Sequence, residues 1–172
     1  MEDFRNTISN VLKNLEEKIN TFDSKIRRFT TLLERIELEN LLKTMVWTMD
    51  SGDRERWINI WSDDIHYIVP QYGLEINGKV ALTEFAESAI FLREERRFST
   101  LTNIMLDIDG DKAIGKDYYM HYGYPINPET GKSFENRAFS EGMHFYKFRK
   151  IDGEWKITDF EVTLNRRQEA ES

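Results

Sequence analysis

The sequence predicts an α+β protein. Two observations carry this. Apolar residues recur at helical spacing through most of residues 1–93, and the second half holds two Asp-Gly steps, Asp109-Gly110 and Asp152-Gly153, each flanked by apolar-rich runs. Asp-Gly between such runs is a strong short-range hairpin signal. Helices followed by antiparallel strands, largely segregated along the chain, make the α+β order.

Residues 1–36 read as a heptad helix. Ile8, Leu12, Leu15, Ile19, Phe22, Ile26, Phe29, Leu33 and Ile36 are spaced alternately by four and three, with no Pro or Gly between them. This is a repeat of about 3.5 residues, which no strand gives. At ~1.5 Å per residue the helix spans about 50 Å, more than a small domain needs to cover one face. An arm that joins subunits is the expected role; a helix packed on its own domain is the alternative. Phe at two stripe positions leaves dimer and trimer both open.

A second helix is expected from Glu37 to Met49, carrying Leu41, Leu42, Met45, Val46 and Met49. Gly52 suits the left-handed residue beyond a helix end, and Asp53 is a natural N-cap for the next helix, with Trp57, Ile58, Ile60 and Trp61. Asp50 sits at a helix C-terminus, where the dipole disfavours a negative charge. It is either a turn aspartate or held there for a purpose. Ser62-Asp63-Asp64 is expected to break the chain before a short strand, Ile65–Pro70. Asn77-Gly78 marks a turn. Val80 to about Arg93 is helical again, and Arg93–Arg97 reads as the solvated end of that helix.

Ser99 to Tyr122 is the first hairpin. Alternate residues of a strand share a face, so Asp117, Tyr119 and His121 lie together, opposite Lys116, Tyr118, Met120 and Tyr122. A carboxylate, a phenol and an imidazole in register either line a polar pocket or form a hydrogen-bonded inner wall. Gly123 to Arg137, with Pro125 and Pro128, is a loop placed to act as a lid. The second hairpin joins Ala138–Lys150 to Glu154–Thr163, and Gly142, His144, Tyr146 and Phe148 share a face. The domain is expected over 37–166, with a polar, fraying tail after it, flexible over 167–172.

Composition narrows the function. With 40% hydrophobic and 32% charged residues, the chain can bury a core and stay soluble. Its net charge of −7 argues against a nucleic-acid surface, which needs a basic patch. The absence of cysteine excludes disulfides and thiolate chemistry. No apolar run approaches the ~18 residues of a membrane span, and the charged start lacks a signal-peptide core, so no membrane partner and a cytoplasmic location are expected. Three histidines at no recognisable ligand spacing make a metal site unexpected.

Four stretches in order carry a resemblance: the helix ending MDSGD with RERWINIWSDDIHYIVP, then NGKVALTEF, LTNIMLDIDGDKA, and EGMHFYKFRKIDGEWKI. Together they resemble the NTF2-like superfamily, in detail its SnoaL-like small-molecule enzymes. The resemblance covers Glu37 to Arg166. It implies a cone, a curved antiparallel sheet wrapped around helices, as in scytalone dehydratase, bile acid dehydratase and dehydrochlorinases. It implies proton chemistry on a small organic molecule without metal or cofactor, often in dimers or trimers. Asp50 falls where those enzymes place an acid–base aspartate, and His121 where scytalone dehydratase has a second histidine. Met45 stands near the position of a tyrosine. Ser99 stands where the histidine that pairs with the aspartate belongs.

The resemblance therefore implies a dyad of Asp50 and His121 across the pocket, with His121 as general base. Tyr119, Asn103, His144, Ser99, Trp47 and Asp117 are the candidate substrate-binding residues. Dehydration, isomerisation or cyclisation would follow. The alternatives are a non-catalytic binding or assembly protein of the same fold, which the Ser99 departure supports, and a β-type subunit of an oxygenase whose partner chain holds the iron.

Overall fold

The computed structural model describes residues 2–92, 94–127, 129–134 and 138–168. The chain forms two compact units, Met1–Ile36 and Glu37–Ser172. A single α-helix, α1 (Glu2–Ser51), contributes to both. The expected division into two helices near Glu37 is not there, because nothing interrupts the helix: the first glycine is Gly52, at φ 74°. What changes near Ile36 is the buried stripe. Leu38, Leu42 and Met45 are buried, whereas the heptad residues before them are exposed.

Asp53 caps α2 (Arg54–Asn59), accepting the Arg56 N–H. β1 (Trp61–Val69) starts earlier than expected. Ser62-Asp63-Asp64 does not end an element; it lies where the β1 register slips, between Trp61 and His66. β2 (Leu74–Asn77), which the turn signal at Asn77-Gly78 did not reveal, pairs antiparallel with β1. α3 (Lys79–Phe85) runs into a π-turn at Ala86–Ile90. Arg93 lies outside the described residues. Glu94 to Arg97, expected as a helix end, instead open β3 (Glu94–Asp109).

β4 (Lys112–Pro125), β5 (Ala138–Ile151) and β6 (Glu154–Gln168) complete a curved six-stranded sheet in the order β2-β1-β6-β5-β4-β3. Among the described residues only the β1–β6 pairing is parallel. Both Asp-Gly hairpins form, and Asp152 and Gly153 take φ 52° and 84°, the left-handed pair that a two-residue hairpin turn requires. β6 continues through the expected fraying segment: Arg167 pairs with Ser140 and donates to the Tyr72 hydroxyl. Residues 169–172 lie outside the described residues. So do Pro128 and 135–137 of the expected lid; of the rest, Ile126 and Ser133 bridge and Asn127 caps a tight turn.

Strand alternation sorts the faces as the sequence implies. Asp117 and Tyr119 are buried and His121 half-buried, while Lys116, Tyr118 and Met120 are exposed. The core is largely aromatic. Trp57, Trp61, Phe160 and Tyr146 run in succession from α2 to β5 with ring centroids 5.0–5.4 Å apart, a spacing at which edge and offset contacts add to burial.

Candidate active site

The candidate site lies where the end of α1 meets the start of β3 and the far half of β4. Ser99 and His121 stand opposite one another in the β3–β4 register. Asp50, in the last turn of α1, reaches Ser99 twice: Oδ2 accepts the Ser99 backbone N–H at 2.7 Å, and Oδ1 meets the hydroxyl at 2.7 Å. Ser99 Oγ is 2.8 Å from His121 Nδ1, and His121 Nε2 is 2.6 Å from Glu94 Oε2. The order is carboxylate, hydroxyl, imidazole, carboxylate.

Asp50 and His121 are thus joined through Ser99 and not by a bond of their own. The residue that marked the departure from the expected pattern is the link. His121, expected as the general base, is itself a link of this chain. Both its nitrogens are engaged, as are both oxygens of Asp50, and these contacts leave over only Glu94 Oε1. Glu94 ends the chain with its side chain 22% exposed.

Counting hydrogens shows what the chain can do. Three contacts need three hydrogens, and Ser99 supplies one. The other two reside on Asp50, His121 and Glu94, and every placement that fills all three contacts gives that trio a net charge of −1. A proton can therefore shift along the chain with its charge unchanged.

Arg97 supplies the balancing charge. Its guanidinium donates to the carbonyls of Met49, Phe91 and Glu94 at 2.9–3.3 Å. The Met49 carbonyl belongs to the last turn and otherwise accepts only a long 3.4 Å bond from the Gly52 N–H among the described residues, so Arg97 caps α1 beside Asp50 and offsets the dipole there. Burial lowers the Arg97 pKa, against the charges of Glu94 and Asp50, which raise it. For Glu94, burial pushes the carboxyl up, but the His121 hydrogen bond and the charges of His121, Arg97 and Arg167 prevail and hold it below its ordinary value. Glu94 then contributes stability above the ordinary carboxylate pKa of about 4.3, and loses it as the pH falls through the folded value. Urea midpoints of the protein and of Glu94→Gln are expected to converge on acidification.

Glu94 and Arg97 were not among the expected site residues. A run of like-looking charges after a helical pattern carries no sign of a strand. A bulge between Glu95 and Phe98, with Arg96 at φ 46°, also breaks the period-two count, which alone would put Glu94, five residues away, on the face opposite Ser99. Gly123, on the facing strand, makes room for Glu94. A Cβ there would collide with the Glu94 carboxylate. The obstructed atoms end a flexible side chain, so Gly123→Ala is expected to keep the fold and swing Glu94 off His121. Thermal unfolding and the His121 imidazole NMR shifts check this together.

Asp117 and His144 form a second, separate network. Asp117 is fully buried, accepts the Tyr146 hydroxyl at 2.7 Å and meets His144 Nδ1 at 3.0 Å. Tyr119 stacks on His144 at 4.2 Å, and its phenol is raised to about 12, chiefly by burial. Asn103 is exposed on a β3 bulge at φ 54°, and Trp47 is 72% exposed on α1, one turn before Asp50. Met45 is core. Among the described residues no three His, Asp or Glu converge as metal ligands. A groove of about 530 Å³ lies elsewhere, along the outward-facing rows of the sheet, with His66, Met105, Ile114, Lys116 and Phe145 among its walls.

The family model for the SnoaL-like domain matches residues 30–161, more than three quarters of the chain. The chain belongs to the SnoaL-like domain family. With its curved mixed sheet and helices, this member has the α+β fold of the NTF2-like cone. No curated protein matches it. Solved structures resemble it over most of its length. A candidate scytalone dehydratase from Novosphingobium aromaticivorans is 16% identical, with a TM-score of 0.72 over 83% of this chain and 91% of that one. Hexachlorocyclohexane dehydrochlorinase LinA-type3 from Novosphingobium barchaimii is 19% identical, with a TM-score of 0.68 over 80% and 90%. A candidate aromatic ring hydroxylase from N. aromaticivorans is 18% identical, with a TM-score of 0.69 over 80% and 93%. At such identities the likeness is one of fold. No helix among the described residues is long and apolar enough to cross a membrane.

Proposed function

We propose that this SnoaL-like chain is a cofactor-independent acid–base enzyme, a dehydratase, isomerase or cyclase. It acts on an apolar small organic molecule by removing a proton next to a carbonyl. The observation that carries this reading is the chain Asp50–Ser99–His121–Glu94, closed by Arg97. Glu94 Oε1 accepts the substrate proton. His121 takes up the change of charge through its Nε2 contact, and Ser99 and Asp50 hold the imidazole and pass hydrogen-bond polarity to the far carboxylate. The C–H electron pair becomes the enolate. The same proton is then returned to another carbon, or delivered to a departing hydroxyl as water. A carboxylate that can pass charge to an imidazole and on to a second carboxylate suits this work, because the proton it gains need not stay on it. By fold, the dehydratase and dehydrochlorinase neighbours agree with elimination chemistry. The proposal takes the chain as a cytoplasmic homo-oligomer that self-associates through its N-terminal helix.

The test is exchange of α-protons into D₂O, followed by NMR, for a panel of flat cyclic ketones and β-hydroxyketones. Enzyme-dependent exchange of at least one member supports the reading; none across the panel overturns it. A second reading, a non-catalytic binding or assembly protein, is favoured by the groove, which lies away from the Asp50–Glu94 chain. Ligand-induced shifts at Met105, Ile114 and Phe145 without exchange would select it.

A further inference from the structure

The heptad residues of the first unit are apolar yet uncovered. Ile8, Leu12, Leu15, Ile19, Phe22, Ile26, Phe29, Leu33 and Ile36 are 44–65% exposed. A stripe of this length and spacing is the seam of a coiled coil. In heptad letters, Leu12, Ile19, Ile26 and Leu33 occupy a, and Ile8, Leu15, Phe22, Phe29 and Ile36 occupy d. The charged residues beside the seam then fall into two kinds, Ser9, Thr30, Val11 and Leu32 there being uncharged. The charged e positions, Glu16, Asp23 and Glu37, are all acidic; the charged g positions, Lys18 and Lys25, are both basic.

That segregation distinguishes the two ways of pairing. In a parallel, in-register pair each g residue faces the e residue five further along the other helix. Lys18 then meets Asp23 of the second copy, once on each side, and no like charges meet. In an antiparallel pair g faces g and e faces e. Full overlap of the seam would set Lys18 against Lys25 and Glu16 against Asp23, twice each. We propose that the stripe pairs with that of a second copy of this chain, parallel and in register. This deepens the self-association proposed above and is independent of the acid–base chemistry.

The absence of cysteine makes the test direct. The full chain is made with Leu15→Cys, a d-layer substitution, and separately with Ile26→Cys, an a-layer one. Each is oxidised, run on a non-reducing gel and weighed by sedimentation. In the proposed pairing each variant alone links into a covalent dimer. If neither links alone but a mixture of the two does, the pairing is antiparallel, and the orientation is overturned while self-association stands. A monomer mass at micromolar concentration overturns both. A dimer mass with no link in either variant or the mixture overturns the arm as the interface.

Lys18→Glu gives a readout of opposite sign for the two arrangements. It replaces an attraction by a repulsion in the parallel pair, weakening dimerisation about tenfold, and Lys18→Glu with Asp23→Lys restores it. In an antiparallel pair Lys18→Glu would tighten the dimer, because the new carboxylate would face Lys25, and the inference would fail.

Discussion

His121→Ala lowers α-proton exchange by about 10²- to 10⁴-fold, the range that general acid–base help supplies. Removing the ring leaves Glu94 with no partner to take up its proton and Ser99 with only Asp50. Glu94→Gln has an effect of the same order, because an amide cannot accept the proton even where it keeps the contact to His121. Ser99→Ala is milder, about tenfold, since it keeps the Glu94–His121 pair and removes only the link to Asp50. The ranking, with Glu94 and His121 severe and Ser99 mild, is the signature of a proton accepted at the Glu94 end. If Glu94→Gln retained full exchange while Ser99→Ala abolished it, the acceptor would lie at the other end and the assignment of Glu94 would be wrong. The pH profile adds a check that a merely structural role would not move. The low-pH limb of exchange disappears in Glu94→Gln if the ionised carboxylate is the working form. All three side chains are half-buried, so circular dichroism is expected to stay near that of the unsubstituted protein, with a lower unfolding midpoint at neutral pH for Glu94→Gln.

Much of this architecture was legible in the residues, for identifiable reasons. Each Asp-Gly hairpin depends on a local turn whose backbone requirement only a few residue types meet. The face shared by Asp117, Tyr119 and His121 follows from the period of a strand. Asp50 at a helix end was an electrostatic anomaly, and the structure gives its resolution: Ser99 donates to it twice, and Arg97 caps the helix beside it. What escaped was what tertiary structure decides. Glu94 joins the site through a bulge and a glycine on the facing strand, neither of which has a local pattern. β2 is too short, at Leu74–Asn77, to show alternation. Asn103 stands on a β3 bulge and Trp47 on an exposed face of α1, and neither exposure has a local pattern.

The second large effect concerns stability, and it separates the two histidine–carboxylate networks. The Asp117 side chain has no exposed surface, and its two oxygens hold Tyr146 and His144 in the wall of the core. Burial, then the adjacent Asp117 charge, and then the hydrogen bond to it raise the Tyr146 phenol well above its ordinary value, so Tyr146 remains a donor. Asp117→Ala removes the acceptor that the two groups share, leaves them only their own 3.0 Å Tyr146–His144 contact, and opens a cavity in that wall. Losing this buried acceptor and opening the cavity costs about 2–4 kcal/mol, a large share of the roughly 5–15 kcal/mol that holds a domain of this kind together. Asp117→Asn keeps an acceptor for Tyr146 and the side-chain volume, so it costs about 1–2 kcal/mol, on the order of one weakened hydrogen bond. Urea unfolding measures both. The decisive comparison is with exchange activity. A structural network predicts that Asp117→Asn, still folded, retains most of its exchange, whereas His121→Ala, equally folded, loses it. The opposite result would move the chemistry from the Asp50–Ser99–His121–Glu94 chain to the buried pair. The inner wall would then be the active site and the half-buried chain a brace for α1.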